Sequence, residues 1–187
     1  MLYTRKGDQG TTKTYGCDQR ISKSSAVAEA LGSLDEVNSF LGLAKVRSYE
    51  VGFAILDKKF GDLVHDIQQT LFMVQAEVAG YPMNIPAQKV KDLEMYIDAA
   101  EKELPPIKTF FISGGIELAA TFDTARTLAR RAERRVVAVH EGAREENRVT
   151  LGENTLPYLN RLSSILYALA RLSNHKSGTK EESPAYK

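Results

Sequence analysis

The chain has 187 residues, of which 25 are basic and 24 acidic, so its formal net charge is +1 at neutral pH. A chain of this length can bury a sizeable core as one domain without disulfides. The even charge balance creates no overall field that would attract nucleic acid or a membrane, so any anion recognition must be local. No apolar run approaches the ~20 residues needed to span a bilayer, and the single cysteine, Cys17, has no partner for an internal disulfide. The first residues lack the apolar stretch of a signal peptide, and we expect a cytoplasmic protein with no nucleic acid or membrane partner.

Residues 1–23 form a polar segment rich in glycine and threonine, which we expect to be an ordered loop or a short extended arm. Within it, Gly7 and Gly10 lie among hydroxyl and cationic side chains, a composition typical of a backbone nest that binds phosphate oxygens. The segment lacks the Gly-Lys-Ser/Thr ending of a Walker A loop, and no strand precedes it. The alternative interpretation is an N-terminal hairpin whose turn uses glycine and aspartate.

The remainder of the chain shows helical spacing of apolar residues. This spacing predicts five helices, over about 26–46, 53–79, 87–104, 116–141 and 154–175. No segment has a convincing strand alternation, and the connections are short. The pattern predicts an all-α, up-and-down five-helix bundle.

Local signals mark several boundaries of these helices. Pro105 and Pro106 end the third helix, because proline lacks a donor and restricts the residue before it. Ser113-Gly114-Gly115 supplies a turn before the fourth helix, and Pro157 fits the first turn of the fifth. We therefore predict a single domain over 1–187: an arm (1–23), a helical bundle (24–175) and a flexible polar tail (176–187).

The fourth predicted helix carries a stripe of arginines. Arg126, Arg130 and Arg134 are spaced at i, i+4 and i+8, and so lie nearly one above another. Like charges at this spacing repel by a few tenths of a kcal/mol per pair, which favours anions opposite them. The candidates are carboxylates of another segment or subunit, or a polyphosphate. The alternative is a solvated face partly compensated by Asp123 and Glu133, each three residues from an arginine of the stripe.

Other chemistry-bearing patterns are weak. The histidines are scattered, and the paired Glu-x-x-His pattern of a di-iron bundle is missing. No nucleophile elbow or Cys-His arrangement is present, so covalent catalysis has no candidate. In the first helix, Asp35, Glu36 and Asn38 interrupt an apolar pattern, and a buried carboxylate there would need a cation such as the arginine stripe.

Taken together, these motifs resemble the PduO-type ATP:cob(I)alamin adenosyltransferase family over nearly the whole chain. The resemblance is carried by six segments in order: Thr4, Gly7, Asp8, Gly10 and Thr12 of the arm; Lys23; Gly32, Asp35, Glu36 and Asn38; Phe110, Gly114 and Gly115; the arginine-rich helix from Ala125 to Arg134; and Tyr158 to Ser163.

The resemblance implies an enzyme that moves the 5′-deoxyadenosyl group of ATP onto the cobalt of a reduced corrinoid and releases triphosphate. It also implies a homotrimer of five-helix bundles with active sites between adjacent subunits. The implied substrates are ATP, with Mg²⁺, and cobalamin. A cob(II)alamin reductase and an adenosylcobalamin-dependent enzyme are the implied partners.

The resemblance assigns a role to each matching residue. Asp35 and Arg126 would form a salt bridge across the subunit interface, and Phe110 would cover the lower face of the corrin. Arg130 and Glu133 complete the implied catalytic set, with Glu133 as a candidate ligand of Mg²⁺. The implied ATP-binding residues are Thr4, Arg5, Lys6, Gly7, Asp8, Gly10, Thr11, Thr12, Lys23, Arg130, Arg131, Glu133, Arg134 and Asn160.

Three positions depart from the family's usual pattern. Ser33 replaces a frequent glutamate, Ser113 a proline before the two glycines, and Ser164 an aspartate. These changes leave the ATP residues intact, so they concern corrinoid affinity or loop rigidity. Tyr167 falls where the family often has an aromatic near the corrin, although a bundle-core aromatic is an equally good interpretation.

Two other classes of function compete with the enzyme. One is a catalytically silent ATP-binding regulatory bundle, which would have no use for the corrinoid-side residues. The other is an RNA-binding bundle using 126–135, which is disfavoured by the neutral net charge and by the lack of interleaved aromatics.

Overall fold

The computed structural model describes residues 3–14, 20–146 and 149–186, and Cys17 lies outside these ranges. Five α-helices dominate it: α1 (Ala26–Val51), α2 (Phe60–Val78), α3 (Ala87–Glu103), α4 (Glu117–Glu146) and α5 (Thr155–Lys176). The predicted all-α five-helix fold is confirmed. None of the helices within the described ranges has an apolar stretch that could traverse a bilayer.

The ends of α1 show how local residues define a helix. Ser25 caps its N-terminus, because the side-chain oxygen accepts a hydrogen bond from the backbone N–H of Ala28. Gly52 ends it in a left-handed conformation with φ 78°, which glycine adopts without steric cost. The helix is therefore longer at its C-terminus than the apolar spacing predicted.

The helices enclose one hydrophobic core. α4 packs against α1 and α5, α1 also packs against α2, and α3 against α5. The core face of α4 is made largely of alanines, with Ala125, Ala129 and Ala132 almost completely buried. Small side chains allow α4 to lie close to both neighbours, which places its arginines beside α1 and α5.

A short β-hairpin corrects the predicted start of the second helix. β3 (Ala54–Ile55) pairs antiparallel with β4 (Lys58–Lys59), and α2 begins only at Phe60. The backbone N–H of Phe60 donates to the carbonyl of Phe53 at 2.9 Å and closes the hairpin. Because each strand has two residues, the apolar spacing across 53–60 could not separate it from the helix.

The N-terminal arm contains a second hairpin, but the turn with Gly7 and Gly10 lies before its first strand and does not connect its strands, as the alternative interpretation expected it to. β1 (Thr11–Lys13) pairs antiparallel with β2 (Arg20–Ser22), with Thr12 opposite Ile21. The turn formed by residues 5–10 precedes β1. The hairpin leads directly into the cap of α1, so the arm is attached to the end of that helix.

The tail after α5 makes defined contacts with the bundle. The backbone N–H of Thr179 donates to the carbonyl of Asn174 at 2.9 Å, and the N–H of Ile112 donates to the carbonyl of Glu182 at 2.8 Å. The tail therefore runs beside the connection between α3 and α4. Its predicted flexibility remains a prediction.

Candidate active site

The main candidate site is a cavity of about 610 Å³ between the α3–α4 connection, α4 and α5. Phe110 from the connection and Arg126 and Arg130 from α4 all line it. Tyr167 and Ser164 contribute from α5. The fold thus brings three of the predicted site residues, from different elements, to one concave surface.

Arg126 is half-buried in the wall of this cavity. Its side chain is 28% exposed, and its Nε atom is 3.7 Å from Oδ1 of Asp123. The guanidinium carbon lies 5.8 Å from the centre of the Tyr167 ring, a cation–π distance. Burial raises the pKa of Tyr167 above its usual value. Nε of Arg126 has no hydrogen-bond partner within the described ranges, so this charge is only partly satisfied by its own chain.

The arginines of α4 divide into two sets. Arg131 pairs with Glu36, and Arg135 pairs with Glu29 at 3.3 Å, so these two connect α4 to α1. Arg130 and Arg134 are exposed, and no residue in the described part of the chain forms an ion pair or hydrogen bond with either. The predicted need for an opposing anion therefore applies to Arg130 and Arg134. Arg131, predicted to bind ATP, has a carboxylate partner in its own chain.

Glu133 and Asn160 connect α4 to α5 beside the cavity. Nδ2 of Asn160 donates to Oε1 of Glu133 at 3.1 Å. The Asn160 Oδ1 atom in turn accepts from Nη1 of Arg161 at 2.8 Å. Glu133 forms no ion pair with Arg130, so the partial compensation that the solvated-face interpretation allowed is absent at Arg130, and this cation stays available.

The two-glycine turn before α4 positions the segment that carries Phe110. Gly115 has φ 97°, and a side chain there would overlap the amide of Asn174. That amide accepts from the N–H of Ile116 at 3.1 Å and donates to the carbonyl of Gly114 at 2.9 Å. The N–H of Gly114 also donates to Asp123 at 3.3 Å. The motif therefore needs glycine for both close approach and backbone conformation. Sequence reasoning missed Asn174, which is remote in sequence.

The arm is organised by Arg20, another residue that sequence reasoning missed. Its guanidinium donates to the carbonyl of Thr11 at 2.8 Å and to the carbonyl of Lys6. Lys23 lies against the same turn, since a side chain added at Gly7 would lie 3.2 Å from its Nζ atom. The arm thus holds its glycine turn beside two cationic side chains, Arg20 and Lys23.

Several predicted site residues are not assembled within one chain. The arm residues Thr4 to Thr12 and Lys23 do not line the main cavity. Asp35 is exposed on α1, and no described residue of the same chain pairs with it. Within the described ranges, no group of three or more carboxylate, histidine or cysteine side chains converges as a metal site.

Comparison with known proteins identifies the family. Residues 2–173 match the cobalamin adenosyltransferase family, and the chain belongs to it. The corrinoid adenosyltransferase of Bacillus subtilis is 38% identical over 178 residues, which cover 95% of this chain and 88% of that protein. The corrinoid adenosyltransferases PduO of Citrobacter freundii and Salmonella typhimurium are 36% and 38% identical, and the chain spans about half of each, 50% and 48%.

Solved structures show the same fold. A PduO-type ATP:corrinoid adenosyltransferase variant from Lactobacillus reuteri, complexed with cobalamin and ATP, has a TM-score of 0.83 and 27% identity and covers 98% of this chain and 96% of that one. Another variant, complexed with ATP, has a TM-score of 0.82 at 27% identity and covers 98% and 100%. The resemblance inferred from the six sequence segments is confirmed.

Proposed function

We propose that this protein transfers the 5′-deoxyadenosyl group of ATP to the cobalt of cob(I)alamin or a related reduced corrinoid. The cobalt(I) electron pair attacks the ribose C5′ atom, a cobalt–carbon bond forms, the C5′–O bond breaks, and triphosphate leaves with the bonding electrons. The observation that carries this proposal is the cavity in which Phe110 shares a surface with Arg126 and Arg130. The family match, and relatives named for this chemistry over most of the chain, support it.

The reaction explains why the chain has no conventional nucleophile. Reduced cobalt is itself the nucleophile, so the protein must align it with C5′ and neutralise the charge that develops on the leaving triphosphate. Arg130 and Arg134 are cations with no acidic partner in the described part of the chain. The glycine turn of the arm, with Lys23 against Gly7, would supply further donors to the phosphates. Guanidinium groups suit this task because they bind phosphate oxygens with two parallel hydrogen bonds.

Phe110 would perform the corrinoid-side task. Phe110 is 77% exposed on a wall of the cavity, so a large part of it is free to contact a planar ligand. An apolar ring against the lower corrin face excludes water and the axial base from the cobalt. Without that axial ligand, Co(II) is more easily reduced to Co(I).

Mg²⁺ fits this site as a companion of ATP. Glu133 is the nearest carboxylate to the unpaired arginines in sequence, and its Oε1 atom shares a hydrogen bond with Asn160. Mg²⁺ is usually held by one or two protein oxygens together with phosphates and water, so a dedicated cluster is not needed. When bound, the ion would neutralise charge on the triphosphate, while Glu133 and Asn160 hold its position.

We propose a homotrimer in which the site is completed by a neighbouring subunit. Asp35 lies on the same α1 face as Leu43 and Val46, which are 63% and 58% exposed. Exposed apolar residues beside an unpaired carboxylate fit a subunit interface. Arg126, with its unsatisfied Nε atom, is the cation that Asp35 would meet. The arm of one subunit would then reach the α4 arginines of the next.

The physiological setting follows from the same chemistry. Co(I) must be supplied by a cob(II)alamin reductase, and the product would serve an adenosylcobalamin-dependent enzyme, both in the cytoplasm. The alternative of a silent ATP-binding regulator gains no support from the comparisons. It would also leave the exposed ring of Phe110 without a use.

Phosphorus NMR of the reaction products tests this proposal. With Mg-ATP and chemically reduced cobalamin, we expect one triphosphate per cobalt–carbon bond formed, and no release without the corrinoid. Release of phosphate or diphosphate instead, or ATP binding without turnover, would overturn the proposed reaction.

A further inference from the structure

The segment that carries Phe110 is held by a buried ion pair, whose two residues also line the cavity. Arg171 on α5 and Glu181 in the C-terminal tail have side chains only 6% and 17% exposed, and Nε of Arg171 lies 3.0 Å from Oε2 of Glu181. Nη2 of Arg171 donates to the carbonyl of Pro105 at 3.4 Å. The guanidinium carbon lies 4.7 Å from the centre of the Phe111 ring. One cation thus contacts the tail and, on either side of Phe110, the residues Pro105 and Phe111.

The backbone of the tail reinforces this arrangement. The N–H of Ile112, two residues beyond Phe110, donates to the carbonyl of Glu182 at 2.8 Å. The tail is itself anchored to α5 through the Thr179 to Asn174 hydrogen bond. Residues 179–182 therefore lie between α5 and the Phe110 segment and contact both.

Electrostatics make Glu181 essential to this contact. A guanidinium as buried as that of Arg171 is costly unless it is paired, because a carbonyl oxygen and a ring face compensate only part of its charge. The planar, five-donor group can satisfy several partners at once, as a lysine could not. Glu181 therefore keeps Arg171 inside the bundle, and Arg171 keeps Pro105 and Phe111 in place.

We infer that Arg171 and Glu181 are positioning residues that hold Phe110 in its place on the cavity wall, so that the C-terminal tail is part of the active-site architecture. This inference rests on the proposed function for the role of Phe110. The effect of the pair on the segment itself does not depend on that role. Residues 104–116 include two adjacent prolines and two glycines, and they have no regular secondary structure of their own to fix the ring.

The first test is E181Q, with E182Q as the matched control. E182Q makes the same change one residue away, where the backbone carbonyl makes the contact and the side chain has no partner among the described residues. Hydrogen exchange in the ligand-free protein should show the amide of Ile112 exchanging about tenfold faster in E181Q, the scale of losing one charged hydrogen bond. E182Q should match the unmodified chain.

The second readout is kinetic. The rate of adenosylation is compared when Co(II) must be reduced on the protein and when Co(I) is supplied. E181Q should lower the rate with Co(II), relative to the rate with Co(I), about tenfold, because a displaced Phe110 no longer excludes the axial ligand. Electron paramagnetic resonance of bound Co(II) should show the axial ligand retained in E181Q and lost in E182Q.

A second variant covers the risk that E181Q unfolds because Arg171 is left unpaired. R171M/E181M removes both charges with side chains of similar length, a change that a folded core often tolerates. It should show the same faster exchange at Ile112 and the same lowered ratio of rates.

Exchange at Ile112 that is equal in E181Q, R171M/E181M and E182Q would overturn the inference, whatever the activity. Faster exchange with an unchanged ratio of rates would also overturn it, because the pair would then order the segment without positioning Phe110. If the unmodified protein forms no adenosylcobalamin, the proposed function fails, and the exchange data still decide whether the pair holds the segment.

Discussion

Arg130 has an exposed guanidinium on the cavity wall and no acidic partner in the described part of its chain. Its charge is therefore available to the triphosphate that leaves in the proposed reaction. We expect Arg130→Ala to lower kcat about 10²- to 10³-fold, the usual loss for one donor to a developing charge. The melting temperature should stay unchanged, because an exposed cation contributes little to stability.

The matched control is Arg135→Ala. Arg135 lies on the same helix, and its side chain is 52% exposed beside Glu29. Its removal should leave kcat within about twofold, since surface ion pairs are worth ~1 kcal/mol or less. Equal losses in the two variants would contradict a specific role for Arg130.

Phe110 would separate the two halves of the proposed reaction. Phe110→Ala should lose most activity when Co(II) must be reduced on the protein, and much less when Co(I) is supplied. The free energy of unfolding should change by no more than about 0.5 kcal/mol, because the residue is 77% exposed. Spectrophotometric assays started from Co(II) and from Co(I) measure the difference between the two losses. Losses of activity of the same size in both assays would contradict the role assigned to Phe110.

At this scale, sequence spacing predicted where residues lie on a helix better than it predicted their partners. The i, i+4, i+8 rule placed Arg126, Arg130 and Arg134 on one face of a helix. Arg131 pairs with Glu36 because of the way α4 packs on α1, which spacing along one helix does not predict. Arg171 lies in α5 and Glu181 in the tail beyond the end of that helix. No helical spacing rule relates the two residues, so their ion pair could not be predicted.

Among the elements, α4 carries both the arginines and the core contacts that orient them. Phe122 is fully buried on α4, and its ring lies 6.3 Å from that of Phe60 at an interplanar angle of 70°. Phe122→Ala should lower the free energy of unfolding by about 3–5 kcal/mol, through lost transfer energy and a residual cavity. Urea unfolding measures this change.

Phe72→Ala is the matched control, because this phenylalanine is 58% exposed on α2. In this variant the free energy of unfolding of the protein should change by about 0.5 kcal/mol or less. A small effect of Phe122→Ala, no larger than this control, would mean that α4 is not held by the core contacts described above.

The elements themselves were largely predictable. Five helices followed from apolar spacing and from breakers such as Pro105, because amphipathic packing is what stabilises them. The hairpin at 54–59 was not predictable, since strands of two residues leave no alternation to detect. The two-glycine turn was visible as a turn. Its need for glycine became clear only from the overlap with Asn174.

For the whole molecule, the proposed trimer depends on Asp35 and Arg126 meeting across an interface. We expect Asp35→Asn and Arg126→Gln each to weaken assembly, and the double variant to cost less than the sum, with a coupling of about 0.5–3 kcal/mol. Analytical ultracentrifugation gives the dissociation constants for this cycle. The pair joins two copies of the chain, so it follows from the family resemblance and not from spacing within one copy.

Glu36→Gln provides the control cycle, because Glu36 pairs with Arg131 within its own chain. Its effect should add to that of Arg126→Gln within about 0.3–0.5 kcal/mol. Additive effects in the Asp35 cycle as well would exclude the proposed contact between subunits.

The most direct test of the central claim is a visible absorbance time course with chemically reduced cobalamin and Mg-ATP. We predict conversion to a species with a photolabile cobalt–carbon bond in the unmodified protein, and conversion about 10²- to 10³-fold slower in Arg130→Ala. Light exposure of the product should release the adenosyl group. An unmodified protein that binds ATP but leaves the spectrum of reduced cobalamin unchanged would contradict the account.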